Sequence, residues 1–303
     1  MSTTYKPALL KAIVRLQRQG PTLELALSAI ANSFVALYWT QTVVFHLRQA
    51  ATLAKEPEVL QKIRRAAAAA NTRRLSDLSI ANRESLAKSI VATLRIDVLR
   101  RFHSALPASA FPLYVWNGSD RLAFTSASAE FIYQNALVLD TIANHWWARK
   151  LEKDNMLAPA IIEKIEANGV QRRSLRWFHD RAATTDDREC FYCQADLHDS
   201  ARPREVDHLI PWSFILADPS WDLVIACPRC NRDKSDRLPH RRFVAKLDSL
   251  NERRLQRNSG FLRGMAPIPA GGIAQLYEAA RGVEWPNAWE PLLINPTGNL
   301  GRA

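Results

Sequence analysis

Cysteine is scarce in this chain: four residues in 303, all between positions 190 and 230, which leaves no disulfide framework for the rest. Long apolar runs are missing as well. The most apolar stretch, Leu23 to Leu47, is broken by Glu24, Asn32, Gln41 and His46, and reads as buried helix rather than a membrane span. The opening MSTTYKPALLK has no compact apolar core of the kind a secretory leader needs. No internal repeat marks a solenoid. These absences point to a reducing compartment, the cytoplasm, and to no membrane partner.

Acidic residues are short in the first half. Through residue 150 there are 19 Lys and Arg against 9 Asp and Glu, whereas the remainder has 22 against 21. A formal charge of +11 implies an anionic partner, most often nucleic acid. The excess is densest from Arg48 to Arg101. There Arg64, Arg65, Arg73 and Arg74, taken as one helix, fall all round its circumference, so they form no single stripe for a duplex.

What is present is an ordinary globular composition, 47% hydrophobic, with helical spacing over most of the chain. Leu9, Leu10, Ile13, Val14 and Leu16 mark a helix that stops at Gly20-Pro21. Leu23, Leu27, Ile30, Phe34 and Leu37 mark a second. A third starts near Pro57 and runs through Ala66–Ala70, and a fourth shows Leu86, Ile90, Leu94 and Val98 on one face. Two β-rich runs around Asn117-Gly118 predict a short hairpin near 111–126. Val138, Ile142, Trp146 and Leu151 then predict a further helix face. After Pro239 another helix has Phe243, Leu247, Leu250 and Leu255 on its apolar side, and a proline- and glycine-rich tail is expected to pack loosely. The expected fold class is mainly α: a helical domain over 1–183, a small metal-braced ββα module over 184–240, and a C-terminal helical segment and tail over 241–303.

The chemistry concentrates in that module. Cys190/Cys193 and Cys227/Cys230 are two C-x-x-C knuckles, with 33 residues between Cys193 and Cys227. Neither a redox dithiol nor a disulfide explains two knuckles in a chain with no other cysteine; four thiolates on one structural Zn²⁺ do. So few large aliphatics in about 50 residues predict a segment that zinc, supplying roughly 10 kcal/mol or more, holds together. Asp207-His208 at a strand end and Asn231 at a helix start offer two hard oxygens for Mg²⁺ or Mn²⁺ and a general base. Trp212 and Trp221 are candidates for base stacking or for core caps.

These residues resemble the HNH endonucleases whose ββα-metal site is braced by a four-cysteine zinc. The matching elements are Cys190/Cys193, Asp207-His208 with Ile210-Pro211-Trp212, Leu223-Val224, Ala226-Cys227-Pro228, and Cys230 through Ser235. The spacing, 13 residues between His208 and Asp222 and 8 between Asp222 and Asn231, is also similar to the HNH domain of CRISPR effector nucleases. The resemblance implies a DNA-binding phosphodiester hydrolase with His208 as general base. Asp207 and Asn231 would hold the catalytic ion, and Lys234 would sit near the phosphate. Asp222 stands where the family has asparagine; bracing of the loop by accepted hydrogen bonds is its expected role, and a negative charge close to the catalytic ion is the alternative. Chains of this layout resemble restriction and anti-phage nucleases, some of which work beside a partner ATPase, as in Septu-type defence. A homo-oligomer is compatible with the reading. The rivals are an RNA-cleaving enzyme with the same site and a catalytically silent zinc module that only binds nucleic acid.

Overall fold

A computed structural model of the chain describes residues 4–50, 56–104, 110–152, 154–155, 158–166, 174–182, 188–197, 204–257, 272–283, 285–286, 289–294 and 300–302. Among these the fold is mainly α, with twelve α-helices and six strands of three or four residues. None of the helices is long and apolar enough to cross a membrane. The chain divides into two compact units, Met1–Met156 with Ile161–Gly169, and Leu157–Ala160 with Val170–Ala303.

The first unit runs α1 (Tyr5–Gln17), β1 (Glu24–Ala26), α2 (Leu27–Trp39), α3 (Glu58–Ala69), α4 (Ile80–Thr93), β2 (Arg121–Ala123), α5 (Ser126–Gln134), α6 (Ala136–Glu152) and α7 (Ile161–Glu166). Local signals set the starts. Ser79 caps α4 by accepting from Asn82 N at 3.2 Å, and Thr125 caps α5 by accepting from Ser128 N at 3.1 Å. α2 and α4 each continue into one wide turn with an i→i+5 bond, Phe45 N to Thr40 O and Leu99 N to Leu94 O, both 3.0 Å. That wider turn carries Leu94 and Val98 into the core with Leu86 and Ile90.

Four expectations change here. Leu23 is exposed and lies outside the second helix, because Glu24–Ala26 pair antiparallel with Arg121–Ala123. Across the Asn117-Gly118 turn, Val115 and Ala123 exchange a single pair of hydrogen bonds, so β2 finds its longer partner nearly a hundred residues away. On α6, Val138 and Ile142 are exposed, while Ala143, Asn144, Trp147 and Ala148 face inward. The inward polar residue has a cause: Lys11 of α1 is buried and needs acceptors, which Asp140 (2.9 Å) and Asn144 provide. The arginines also sort differently, since α3 ends at Ala69 and Arg73 and Arg74 lie beyond it. Arg64 pairs with Glu56 at 2.8 Å and Arg73 reaches Val44 O, so two of the four hold the unit itself together.

The second unit contains α8 (Arg176–Ala182), β3 (Glu205–His208), α9 (Trp212–Ile215), β4 (Leu223–Ala226), α10 (Pro228–Lys234), α11 (Arg242–Arg257), α12 (Gly272–Gly282), β5 (Leu292–Ile294) and β6 (Leu300–Arg302). β3 and β4 pair antiparallel in the register Glu205–Ala226, Val206–Ile225, Asp207–Val224 and His208–Leu223. The outer edge of β4 presents carbonyls that need donors. Two polar side chains of α11 supply them on β4 and just before it: Arg254 Nη1 to Leu223 O at 2.9 Å, and Asn251 Nδ2 to Trp221 O at 2.7 Å. This explains why Asn251 and Arg254 are buried while Leu255, expected on the apolar side, is exposed.

Of the tail expected to pack loosely, residues 258–271 and 295–299 lie outside the described residues, and among the described ones two tryptophans are tied into the core. Trp285 and Trp289 are buried, and their indole N–H groups donate to Asp236 O (2.7 Å) and Asp233 Oδ2 (2.8 Å). Trp289 also exchanges backbone bonds with Leu238 and His240. One apolar core therefore joins the knuckles, both strands, α11, α12 and the two tryptophans. The module is not the coreless segment its own composition implies.

Candidate active site and metal centre

The first knuckle is a tight hairpin. Gln194 N donates to Cys190 O (2.9 Å) and Cys190 N to Ala195 O (2.8 Å), with Gln194 in the left-handed region at φ +60°. The second knuckle opens α10: Cys227 is its N-cap, its Sγ accepts from Cys230 N at 3.4 Å, and Pro228 occupies the first turn. Cys227 N in turn donates to Cys190 Sγ at 3.3 Å. All four sulfurs lie within 4.8 Å of one another, and Cys193 and Cys227 are 3.9 Å apart. A tetrahedral zinc with 2.3 Å bonds requires sulfurs about 3.8 Å apart. The donor set and its spacing fit zinc. Hydrogen bonds with Cys190 and Cys230 push the Cys193 thiol down, while those with Cys190 and Cys193 push Cys230 up.

The second constellation lies where β3, β4 and α10 meet. Asp207 is nearly buried, and its Oδ2 accepts from Tyr192 Oη at 2.6 Å and forms an ion pair with Lys234 Nζ at 3.1 Å. Burial and the neighbouring Asp207 hold the Tyr192 hydroxyl far above its usual range, so it remains a donor. Lys234 is fully buried, and its Nζ also donates to His208 O at 2.6 Å. This corrects the expectation that Lys234 meets the phosphate: it locks the end of β3 to α10 from inside. Asn231 Nδ2 donates to Glu205 Oε2 at 2.7 Å, and His208 Nε2 lies 3.1 Å from Asp218 Oδ1. Among the described residues no hydrogen bond engages Asp207 Oδ1, Asn231 Oδ1 or His208 Nδ1. Each of the three side chains is pinned by one terminal atom and keeps one acceptor.

Asp222 is wholly buried, and its Oδ1 accepts from Ile210 N at 2.9 Å while its main-chain oxygen accepts from Leu209 N at 2.9 Å. It closes the loop between the strands from both sides. Its Oδ2 is buried without a hydrogen-bond partner. Burial pushes its carboxyl well above the usual range, against smaller downward pulls from the Ile210 bond and Lys234; Asp207 adds a small push upward. A carboxyl whose folded pKa is raised favours the neutral form, so stability falls as pH rises from the unfolded value toward the folded one. Asp222→Asn keeps the acceptor and removes the titration. The expected result is an unchanged fold and cleavage rate, with a melting temperature above wild type at pH 8 and little difference near pH 4. A variant that melts lower at pH 8 contradicts the bracing role.

Trp212 and Trp221 are both buried, Trp221 within the shared core, which removes them as stacking platforms. Tyr192, Glu205 and Asp218 are the site residues that sequence reasoning missed. Glu205 was within reach, since positions 205 and 207 share a strand face.

Residues 190–240 match the model of the HNH endonuclease family. This segment is an HNH domain. No curated protein and no solved structure matches the chain. The HNH domain supports a nuclease function, and its four-cysteine cluster is consistent with a zinc site.

Proposed function

We propose that the chain is a metal-dependent endonuclease that hydrolyses phosphodiester bonds, DNA in preference to RNA, with His208 as general base. The observation that carries this reading is the trio of unengaged acceptors, Asp207 Oδ1, Asn231 Oδ1 and His208 Nδ1, within one ββα unit of an HNH domain. Asp207 and Asn231 would hold one Mg²⁺ or Mn²⁺, a hard ion suited to few protein oxygens plus water. When bound, that ion supplies charge stabilisation at the scissile phosphate and the leaving oxygen. Tyr192 and Lys234 fix the Asp207 carboxylate so that its second oxygen keeps one direction, and Glu205 does the same for the Asn231 amide. A carboxylate can accept only from the NH₂ end, which leaves the amide oxygen outward. His208 takes a proton from water as the water oxygen bonds to phosphorus. The P–O bond to the leaving oxygen breaks with its electron pair, and that oxygen is then protonated by solvent.

A purely binding module needs none of these pinned acceptors, whereas metal-dependent hydrolysis uses all three. The net charge of +11 supports a polyanionic substrate. The layout supports a place in restriction or anti-phage defence, with a partner ATPase as one arrangement of such systems. Zinc-loaded protein incubated with Mg²⁺ or Mn²⁺ should nick supercoiled plasmid. Chelation should bring the rate to background, and re-adding Mg²⁺ should restore it. Matched single- and double-stranded DNA and RNA then read out the substrate class. No cleavage of any of them overturns the nuclease reading; faster cleavage of RNA overturns the preference for DNA.

A further inference from the structure

Loops beside an HNH strand pair have no general reason to carry a carboxylate, yet here one meets the imidazole. His208 Nε2 lies 3.1 Å from Asp218 Oδ1, with the two side chains 6% and 17% exposed. The loop is built to hold that contact. α9 is followed by Leu216, whose φ of +57° turns the chain back. Pro219 restricts Asp218 to extended backbone, and Pro219 O accepts from Asp222 N at 2.9 Å. Asp222 then ties the loop back to Leu209 and Ile210, the two residues that follow His208. The position of Asp218 is thus fixed from both ends of its segment.

A neutral imidazole carries one ring proton, and the partner of one nitrogen decides the state of the other. A carboxylate can only accept, so the proton belongs on Nε2 and the lone pair on Nδ1, the nitrogen with no partner among the described residues. We propose that Asp218 is a positioning residue for His208, holding the ring in one orientation and one tautomer so that Nδ1 is the basic atom. The inference deepens the reading of His208 as general base and rests on it. It assigns Asp218 no contact with substrate or with the catalytic ion. The sequence offers no hint of the pairing, because an Asp-Pro ten residues after a histidine is an ordinary turn.

The test compares wild type, Asp218→Asn, Asp218→Ala, His208→Ala and the double variant His208→Ala/Asp218→Ala on one DNA substrate. Asp218→Ala should lower kcat by about 10- to 100-fold with KM unchanged, the range typical of groups that orient a functional histidine. Asp218→Asn, which keeps an oxygen acceptor and the side-chain shape, should recover part of that loss. The double variant should be no slower than His208→Ala, because orienting an absent ring contributes nothing. Equal fold-losses in both backgrounds, or a change in KM alone, would overturn the proposal in favour of a structural role. A second readout needs no activity. In ¹⁵N-histidine-labelled zinc-loaded protein with the ring neutral, wild-type His208 should show a proton on Nε2 and a bare Nδ1, and Asp218→Ala should move both toward free-imidazole averages. Identical ring nitrogens in the two proteins reject the proposal. A wild type that cleaves nothing rejects the nuclease reading instead, and the ring-nitrogen comparison still decides whether Asp218 sets the tautomer.

Discussion

His208→Ala is expected to lower phosphodiester cleavage by about 10²- to 10⁴-fold, the usual contribution of a positioned general base. Zinc content and melting temperature should stay close to wild type, for reasons visible in the contacts of this residue. The group that Lys234 uses is the His208 carbonyl, at 2.6 Å, and alanine keeps it. The β3–β4 register is likewise a backbone property. The side chain lost from the interior leaves Asp218, 17% exposed at its side chain, able to turn to water. Stability and catalysis therefore separate at this position. Single-turnover cleavage with saturating Mg²⁺, alongside zinc quantification and thermal unfolding, reads both. A variant that cuts at near wild-type rate removes His208 from the mechanism; one that loses zinc or unfolds makes the residue structural.

The converse separation is expected at the knuckles. Cys193→Ser and Cys227→Ser should each lose stoichiometric zinc and destabilise the second unit by more than about 4 kcal/mol, an effect confined to mechanisms such as loss of a metal site. Serine matters as the choice at position 227. It is a good N-cap, so the variant keeps a cap for α10 in place of the sulfur that now accepts from Cys230 N, and the loss reports the metal rather than the helix end. The damage should spread beyond the knuckle. Tyr192, between Cys190 and Cys193, packs edge-on against Trp289 at 5.0 Å and Phe243 at 5.4 Å while holding Asp207. Loss of zinc should thus reach β3 through one tyrosine. Normal zinc stoichiometry and melting in both serine variants would refute the structural-zinc assignment.

Much of the candidate site was legible in the sequence because the chemistry proposed for it depends on residue identity at short spacing. Only cysteine supplies four thiolates, and the two C-x-x-C pairs name them. Asp207-His208 before a turn and Asn231 just after Cys230 are similarly local. Helix faces built on the 3.6 period, such as Leu86, Ile90, Leu94 and Val98, were readable for the same reason: every residue in the pattern acts within one element. What the tertiary structure alone decided is who partners whom. Lys234 could point to solvent or inward on a seven-residue helix; a buried Asp207 carboxylate and the His208 carbonyl draw it inward. Asn251 and Arg254 spoil an apolar stripe on α11 until the free edge of β4 is seen to need donors. The packing of Trp285 and Trp289, and the meeting of Asp218 with His208, follow the same rule. Burial creates a demand for a donor or acceptor, and many residue types at many positions can meet it. Composition and periodicity set which groups must be satisfied, and only the folded chain settles which distant residue does so.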